Sequence, residues 1–243
     1  MELKCIDSPI ISAGGVIGST ASNHEVKAGS NPSPALQSIR AKPIPPVIAK
    51  TVIVKNHYLH TFPAATMLCF GAFMDDRLLG AITFGCGPAN AYRMVEGVTQ
   101  EDCLTLSRLW LSDELPSNSE SRFIGICLKY LKKYTQVKFV VSYADPEQGH
   151  VGTIYQATGW IYTGLSVATP RVDIGDGVLR HSRSISHSLG SHATGFMRDC
   201  GLKTKIIPQS RKHRYIYLLN QECQKMLKPA ILPYPKLSGR SGE

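Results

Sequence analysis

The order of apolar and polar segments between residues 67 and 164 constrains the fold of this chain more than any other feature. Two apolar runs, Met67–Met74 and Leu78–Gly85, are joined by the short polar segment Asp75–Arg77. This arrangement predicts an antiparallel hairpin. Leu104–Leu111 alternates in part between apolar and polar residues and predicts a further strand with one buried face.

A helix, a strand, a second helix and a final strand follow the hairpin region. The polar segment Pro116–Ser121 precedes apolar positions at helical spacing, and the pattern ends in two lysines. We therefore predict a capped amphipathic helix whose last turn carries cations. Val137–Ala144 predicts the next strand, Gly149–Thr158 a short second helix, and Trp160–Gly164 the final strand.

The two ends of the chain differ from this middle region. Residues 1–50 are rich in Gly, Ser, Pro and Ala, so we expect loops or a partly ordered arm before the β-branched run Thr51–Val54. Residues 171–243 hold 13 Lys and Arg against 5 Asp and Glu, whereas residues 1–170 hold 14 against 13. Such a local cationic excess attracts a polyanion such as nucleic acid, and a solvated basic tail is the alternative. The predicted units are an arm (1–50), a core (51–170) and a basic extension (171–243).

Composition argues against several classes of protein. No apolar run approaches the roughly 18 residues that cross a bilayer, which argues against a membrane protein. The N-terminus has no charged segment followed by an apolar one, which argues against secretion. The seven cysteines form no C-x-x-C pair, so they fit reduced thiols in a cytoplasm and disfavour a zinc site.

The turn before the predicted amphipathic helix is a candidate anion site. Asn118, Ser119 and Ser121 are small and polar, and Arg122 adds a positive charge. Free backbone N–H groups and the helix dipole attract phosphates at such a position. Ordinary capping of the helix by Ser117 or Ser119 is the alternative, and it needs no ligand.

The order of elements looks like the core of a GNAT acyltransferase, and longer motifs resemble the Mom family of phage DNA-modification proteins. The resemblance covers roughly residues 50–236. Its longest and most specific part is the block Ser142–Trp160. Further matches are Asn56–Tyr58, Ser107–Trp110, Asn118–Ser121, Lys212–Tyr215 and Pro233–Lys236.

This resemblance implies a GNAT-like acyltransferase fold, an α/β (α+β) protein in which a mixed central sheet is flanked by helices. It also implies an enzyme that converts adenine to N6-carbamoylmethyl-adenine in phage DNA and so protects that DNA from host restriction. Double-stranded DNA is then the partner, and the cytoplasm of the bacterial host is the location. A conventional GNAT N-acetyltransferase that acts on a protein or a small amine is the alternative.

The donor of the transferred group stays open. The acyltransferase signature, Gln or Arg followed by x-x-Gly-x-Gly/Ala, is matched by Arg122 and Gly125, but Cys127 stands at its last place. Cys127 is bulkier than Gly or Ala, so we expect a pyrophosphate to fit less well. Acetyl-CoA, a related acyl donor and iron all remain candidates, because acyl transfer alone does not make an N-alkyl linkage.

Five residues are candidates for catalysis. Asp145 follows a strand where the acyltransferase sheet opens, so it is the leading general base or substrate-amine anchor, with an Asp-Pro turn as the alternative. Tyr155 stands where this fold often places a proton-donating tyrosine, and a core tyrosine is the alternative. Arg108 lies between apolar residues and should meet a carboxylate, either Asp145 or a ligand. His57 and Tyr58 form a polar pair, and histidine beside a carboxylate suits iron.

The basic extension supplies the residues that we expect to face DNA. Arginine and lysine contact phosphates, and aromatic side chains stack a displaced base. Tyr215 and Tyr217 are either such stacking residues or members of a buried strand. The cationic candidates are Arg180, Arg183, Lys203, Lys205, Arg211, Lys212 and Arg214.

Overall fold

The computed structural model describes residues 33–88, 90–168 and 170–236, apart from the side chains of residues 181–183 and 187. Its first half contains two helices and four strands, with 3-10 helices at Ala91–Met94 and Gln100–Asp102. The regular elements are α1 (Pro34–Gln37), β1 (Arg40–Pro43), α2 (Pro46–Asn56), β2 (Thr66–Met74), β3 (Arg77–Gly85) and β4 (Cys103–Leu111).

The second half adds four helices and six strands, with 3-10 helices at Pro146–Gln148 and Gln221–Met226. In chain order they are α3 (Ser119–Tyr134), β5 (Phe139–Ala144), α4 (Thr153–Ala157), β6 (Ile161–Leu165), β7 (Arg171–Asp173), β8 (Arg180–His181), α5 (Ser182–Leu189), α6 (Thr194–Asp199), β9 (Lys205–Ile207) and β10 (His213–Leu218). Among the residues that the structure describes, no helix is long and apolar enough to cross a membrane.

Seven strands form one mixed sheet in the order β1-β2-β3-β4-β5-β10-β6. The β4–β5 pair is parallel, and the other neighbouring pairs are antiparallel. Successive strand residues point to opposite sides of the sheet, so both faces carry apolar side chains. Helices cover both of these faces. Cys69 and Ala81 pack against Ala49 and Ile53 of α2, whereas the neighbouring β2 and β3 residues share a core cluster with α3. The expected α+β fold, a mixed central sheet flanked by helices, is confirmed.

The parallel strands β4 and β5 pair along only part of their length. Their register runs from Cys103 opposite Phe139 to Leu106 opposite Ser142. Beyond these residues the two strands have no paired positions. A bulge marks the same point, since Thr83 of β3 faces Arg108 whereas Phe84 faces Leu106. Bulges of this kind bend a strand and redirect its side chains. The sheet therefore opens beside residue 107.

The segment between β6 and β10 forms a small unit of its own, which we call the inserted unit (residues 170–209). Its strands make a second sheet in the order β8-β7-β9. Val172, Ile185 and Met197 form its buried apolar cluster. The chain then returns to the central sheet through β10, which lies between β5 and β6.

Residues 33–50 differ from the expected loop-rich arm. β1 adds an edge strand to the central sheet. The helix α2 begins at Pro46, a residue suited to the first turn because its missing N–H has no partner there anyway. The β-branched run at 51–54 lies inside α2, where burial of Ala49 and Ile53 on the sheet overrides local preference. Residues 1–32 lie outside the described part.

The prediction that Trp160–Gly164 is the final strand is wrong. β6 spans Ile161–Leu165, and four more strands follow it in the chain. Tyr215 of β10 is fully buried and Tyr217 is partly buried in the same core cluster. The buried-strand alternative for these tyrosines is therefore confirmed, because β10 is inserted between two other strands and has no free edge.

Candidate active site

An open pocket of about 1140 Å³ lies where β4 and β5 separate. This volume exceeds what a single base requires and leaves space for a second reactant. One wall is the diverging half of β4, and the opposite wall is the end of β5 with the loop that leads into α4. The rim is formed by Ser166, Val167, Arg171, Gln209, Ser210, Lys212 and Arg214.

Asp145 lies at the end of β5 and is held by several donors. Its Oδ2 is 2.9 Å from Lys212 Nζ, and its Oδ1 accepts hydrogen bonds from Ser210 Oγ at 3.0 Å and from Glu147 N at 3.2 Å. Partial burial acts to raise the pKa of Asp145, but the hydrogen bonds from Lys212 and Ser210 outweigh it and hold the pKa below its usual range. The group is therefore a fixed carboxylate. The Asp-Pro turn is also present, since Asp145 caps the 3-10 helix that follows.

Arg108 does not pair with Asp145, contrary to one of the two expectations for it. Its Nη1 donates to the carbonyl of Ser107 at 2.7 Å, and its other nitrogens donate to Thr61 Oγ1 at 3.2 Å and to the Thr61 carbonyl at 3.3 Å. All three acceptors are uncharged, and within the described ranges no carboxylate forms an ion pair with Arg108. Burial lowers the pKa of Arg108. The physical reason is the bulge, which directs this side chain toward the segment after α2.

His57 and Tyr58 stack on each other beside Arg108. Their ring centroids are 4.4 Å apart, and His57 Nδ1 accepts a hydrogen bond from Leu59 N at 3.1 Å. Burial, and then the charge of Arg108, lower the pKa of His57 to about 4, so His57 is neutral at pH 7. Burial and the negative charge of Asp145 raise the pKa of Tyr58. Both rings line the pocket.

Among the residues that the structure describes, no cluster of side chains could bind an iron ion. Three or more His, Cys, Asp or Glu side chains within reach of one ion are found nowhere in this part of the chain. His57 uses its Nδ1 as a backbone acceptor, and Asp145 is engaged by Lys212 and Ser210. The structure therefore gives no support to the iron alternative.

Tyr155 forms part of the pocket wall and is also a core residue. It is 7% exposed and packs on Trp160 and Tyr215, with ring centroids 5.1 and 5.3 Å away. The Ser142 hydroxyl oxygen lies 2.8 Å from the Tyr155 oxygen and 3.1 Å from the Leu106 carbonyl oxygen, so the two hydroxyl groups and the carbonyl form one hydrogen-bonded chain. Burial raises the pKa of Tyr155 to about 12, so the phenol stays protonated at neutral pH. A buried phenol at this place can donate a proton.

The other end of the pocket approaches the start of α3, where Glu120 contributes to the lining. Asn118 takes the N-cap position with a left-handed φ of 70° and makes no side-chain cap hydrogen bond. Ser119 is buried, and its hydroxyl donates to the carbonyl of Pro116. Capping of the helix by a serine side chain is therefore not seen.

The helix positions behind this turn leave space. A side chain added at Gly125 would meet nothing within 4 Å, and Arg122 Nε is buried with no hydrogen-bond partner. Cys127, the residue expected to crowd a pyrophosphate, is completely buried in the main core cluster. Arg122 and Gly125 thus remain compatible with a phosphate-bearing donor.

Comparisons with known proteins add to this geometry. The Mom protein family matches residues 38–236. This chain belongs to the Mom family. Methylcarbamoylase mom of Escherichia phage Mu is 29% identical over 206 residues, which cover 82% of this chain and 85% of that protein.

Solved acetyltransferases are distant structural neighbours of this Mom-family chain. The aminoglycoside enzyme AAC(6')-Ib, in complex with paromomycin and acetyl-CoA, is 7% identical with a TM-score of 0.46 and covers 77% of this chain and 96% of its own. A spermidine N-acetyltransferase SpeG chimera from Vibrio cholerae and hSSAT is 9% identical with a TM-score of 0.44 over 75% and 96% of the two chains.

The basic candidates of this Mom-family chain fall into two groups. Arg211 and Arg214 lie beside the pocket, where Arg211 Nε donates to the Ser166 carbonyl at 2.9 Å and Arg214 Nε donates to Thr163 Oγ1 at 2.8 Å. Lys212 belongs to the pocket because it pairs with Asp145. The remaining candidates belong to the inserted unit: Lys203 and Lys205 are exposed, Arg180 pairs with Asp176 at 2.6 Å, and the Arg183 side chain lies outside the described residues.

Several pocket residues were not found from the sequence. Ser210 reaches Asp145 across 65 positions of the chain, and Thr61 receives Arg108 across 47. No local pattern signals contacts of this range. Arg171 could have been predicted as a site residue, since it is a basic residue directly after the predicted core.

Proposed function

We propose that this protein converts adenine to N6-carbamoylmethyl-adenine in double-stranded phage DNA and thereby shields the DNA from host restriction. Membership of the Mom family supports DNA modification. The observation that carries the proposal is the pocket of about 1140 Å³ between β4 and β5, which combines a buried phenol, a fixed carboxylate and a rim of cations. These are the groups that a reaction on a base taken from DNA requires.

An adenine inside a duplex reaches such a pocket only by turning out of the base stack. Enzymes that do chemistry on a base pay a few kcal/mol to unpair and unstack it, and then hold it by contacts to its polar edge. Arg171 and Arg214 lie on the rim, where they would contact phosphates next to the displaced nucleotide. The inserted unit extends this surface with exposed Lys203 and Lys205.

The pocket residues then take distinct roles. Asp145, with both oxygens held, accepts a hydrogen bond from the adenine amine and fixes its direction. Tyr155 donates its proton to the group that departs. Arg108 binds a carbonyl or carboxyl oxygen of the donated group, because its guanidinium lies at the pocket without a charged partner. Tyr58, stacked on neutral His57, packs against the base.

The helix start at α3 is the proposed position of the donor. A phosphate-bearing donor such as a coenzyme A derivative would lie there, and Asn118, Ser119, Ser121 and Arg122 would hold its phosphates. Acyl transfer from a thioester would leave an amide on the adenine nitrogen, so the N-alkyl linkage of the proposed product requires a donor that transfers an alkyl carbon, or a second reaction step. The free space at Gly125 and the unpartnered Nε of Arg122 fit such a ligand. The same features favour the alternative function, a conventional N-acetyltransferase of a protein or small amine.

A pair of glycine variants tests the donor position. Gly125 and Gly195 both lie in helices and both have open space beside them. Gly125→Leu should leave the protein folded, since leucine favours a helix over glycine by roughly 1 kcal/mol, yet it should lower modification strongly by filling the donor site. Gly195→Leu should modify DNA as the wild type does. Full modification by Gly125→Leu would place the donor elsewhere.

Nucleoside mass spectrometry of DNA from producing cells tests the function itself. We expect a carbamoylmethylated deoxyadenosine with the wild type and about 100-fold less with Tyr155→Phe, in line with the loss of a general acid. Tyr134→Phe is the matched control, because Tyr134 does not line the pocket. Only unaltered deoxyadenosine from a folded wild type would contradict the proposal. Acetylated peptides or polyamines in its place would support the alternative.

A further inference from the structure

The loop that follows β6 presents an apolar side chain at the mouth of the pocket. Val167 lines the rim and is nevertheless 85% exposed, more than any other large apolar residue that the structure describes. Single exposed apolar residues are common on protein surfaces. This one differs in where it lies and in how its loop is held.

Hydrogen bonds with Arg211 and Lys212, the two residues before β10, fix the backbone just ahead of Val167. Ser166 N donates to the Lys212 carbonyl at 2.8 Å, and Lys212 N donates to Ser166 Oγ at 3.0 Å. Arg211 Nε donates to the Ser166 carbonyl at 2.9 Å. A valine also has a stiff side chain, because two carbons at Cβ restrict its first torsion angle. Val167 is thus a short, rigid apolar projection.

The charges around Val167 indicate what it contacts. Arg171 and Arg214 line the same pocket, and Arg211 donates to the carbonyl of the lining residue Ser166. Within the described residues none of the three forms an ion pair with a carboxylate. An apolar protein partner would cover Val167. It would also bury three guanidinium groups without supplying a negative charge to pair with them. A DNA duplex satisfies both, because its phosphates pair with the arginines and its stacked bases receive the apolar tip.

We propose that Val167 enters the base stack beside the target adenine and occupies the space that the adenine leaves when it turns into the pocket. Apolar side chains inserted between base pairs are a known means of unstacking a duplex. This inference rests on the proposed function, since it assumes that DNA is the substrate. It adds that the loop at residues 166–168 performs the unstacking step.

The experiment first separates the two proposals. Modified adenines are mapped in plasmid DNA from producing cells, and if none is found the proposed function has failed before Val167 is tested. The most strongly modified sequence is then made as a duplex with the fluorescent base 2-aminopurine at the target position. Fluorescence reports unstacking of this base and requires no donor. The proteins compared are the wild type, Val167→Ala and Val47→Ala, a control at another exposed valine outside the pocket.

We expect the wild type and Val47→Ala to raise the fluorescence on binding, and Val167→Ala to lose most of that rise. Its modified fraction in cells should fall about tenfold, because unstacking costs a few kcal/mol. A second duplex with an abasic site opposite the target removes much of this cost, and on it Val167→Ala should match the wild type. Wild-type behaviour of Val167→Ala on the paired duplex, or an equal defect on both duplexes, would overturn the inference.

Discussion

The central sheet and the inserted unit differ in how much apolar surface each buries. The sheet fully buries large side chains on both of its faces, among them Phe84, Phe139 and Trp160. The inserted unit has a cluster of three buried residues, and more than half of the surface of Val178 and of Ile206 remains exposed. The chemistry that we propose lies on the sheet, and the residues that we expect to follow the DNA lie on the unit with the smaller buried cluster. We therefore expect this unit to open more easily than the sheet.

Three contacts hold residues 210–212, the segment that directly follows the inserted unit, at the pocket. Ser210 N donates to Glu147 Oε1 at 3.1 Å, Ser210 Oγ donates to Asp145, and Lys212 pairs with Asp145. The carboxylate proposed to hold the adenine amine therefore also holds the segment directly after the unit. If the inserted unit moves when DNA binds, we expect the position of the Asp145 side chain to change with it.

The largest expected effect separates the two regions by stability. Phe139→Ala removes a fully buried ring of the sheet and should lower the free energy of unfolding by about 3–5 kcal/mol. Ile185→Ala removes a buried side chain of the inserted unit and should reduce hydrogen-exchange protection in residues 170–209 alone. Denaturant unfolding and hydrogen exchange measure the two effects. Equal loss of protection in β2–β5 with Ile185→Ala would show that the regions fold as one.

The second prediction concerns a buried group on the sheet side of the pocket. The pKa of His57 is about 4 in the folded protein against 6.5 when it is exposed, so between these values the unfolded chain binds the extra proton. Stability from this group is complete above pH 6.5 and falls as the pH drops toward 4. Between pH 7 and pH 5, the melting temperature of His57→Asn should fall by less than that of the wild type. His60→Asn is the exposed control, and identical curves for all three proteins would contradict the burial of His57.

The third prediction compares cations at the pocket rim. Arg211 and Arg214 are held by uncharged acceptors, so their charge is available to phosphates, whereas Lys212 is neutralised by Asp145. Changing either arginine to alanine should reduce the slope of log affinity against log salt by about 1. Lys212→Met should change that slope less. The measurement is duplex affinity across a salt series, and an equal change for Lys212→Met would mean that its ion pair opens on DNA.

The smallest effect comes from two similar ion pairs in different regions. Lys212–Asp145 and Lys138–Asp102 have side chains of nearly equal exposure, 39% and 12% against 40% and 16%. Replacing either lysine by methionine should cost about 1 kcal/mol or less. Because the pKa of Asp145 is depressed in the folded protein, this cost should be present at pH 7 and disappear as the pH falls through that pKa.

Hydrogen exchange distinguishes the two lysine variants. Lys212→Met should also loosen the inserted unit, since one of the three contacts that hold the segment directly after it (residues 210–212) is lost. Lys138→Met should leave that unit as it is, because its ion pair with Asp102 lies directly before β4 and β5, at the opposite end of these strands from Asp145. Equal protection of residues 170–209 in both variants would argue against a connection through Asp145.

Much of the central sheet could be predicted from the sequence because its signals are local. The β2–β3 hairpin, β4, α3 and β5 each show their own periodicity and turn residues. The helix α2 was missed, since its β-branched residues favour a strand until they are packed on the sheet. The position of β10 between β5 and β6 depends on pairing across the whole inserted unit, which no segment reveals by itself.

The candidate site divides in the same way. Tyr155 and Asp145 were found because the motif around them is long, and both line the pocket. The sequence does not reveal the partners of the charged groups, because these partners are far away along the chain. Asp145 pairs with Lys212, and Arg108 donates to Thr61. Val167 carries no sequence signal at all, because its meaning comes from exposure at the rim.

Photocrosslinking tests most directly whether the target adenine enters the pocket between β4 and β5. A duplex with a photoreactive adenine analogue at a mapped modified position is irradiated with the protein, and the attached peptides are identified by mass spectrometry. We predict crosslinks to residues 107–111 and 142–155, the two walls of the pocket. Crosslinks confined to the basic residues of the inserted unit, with none on either wall, would contradict the account.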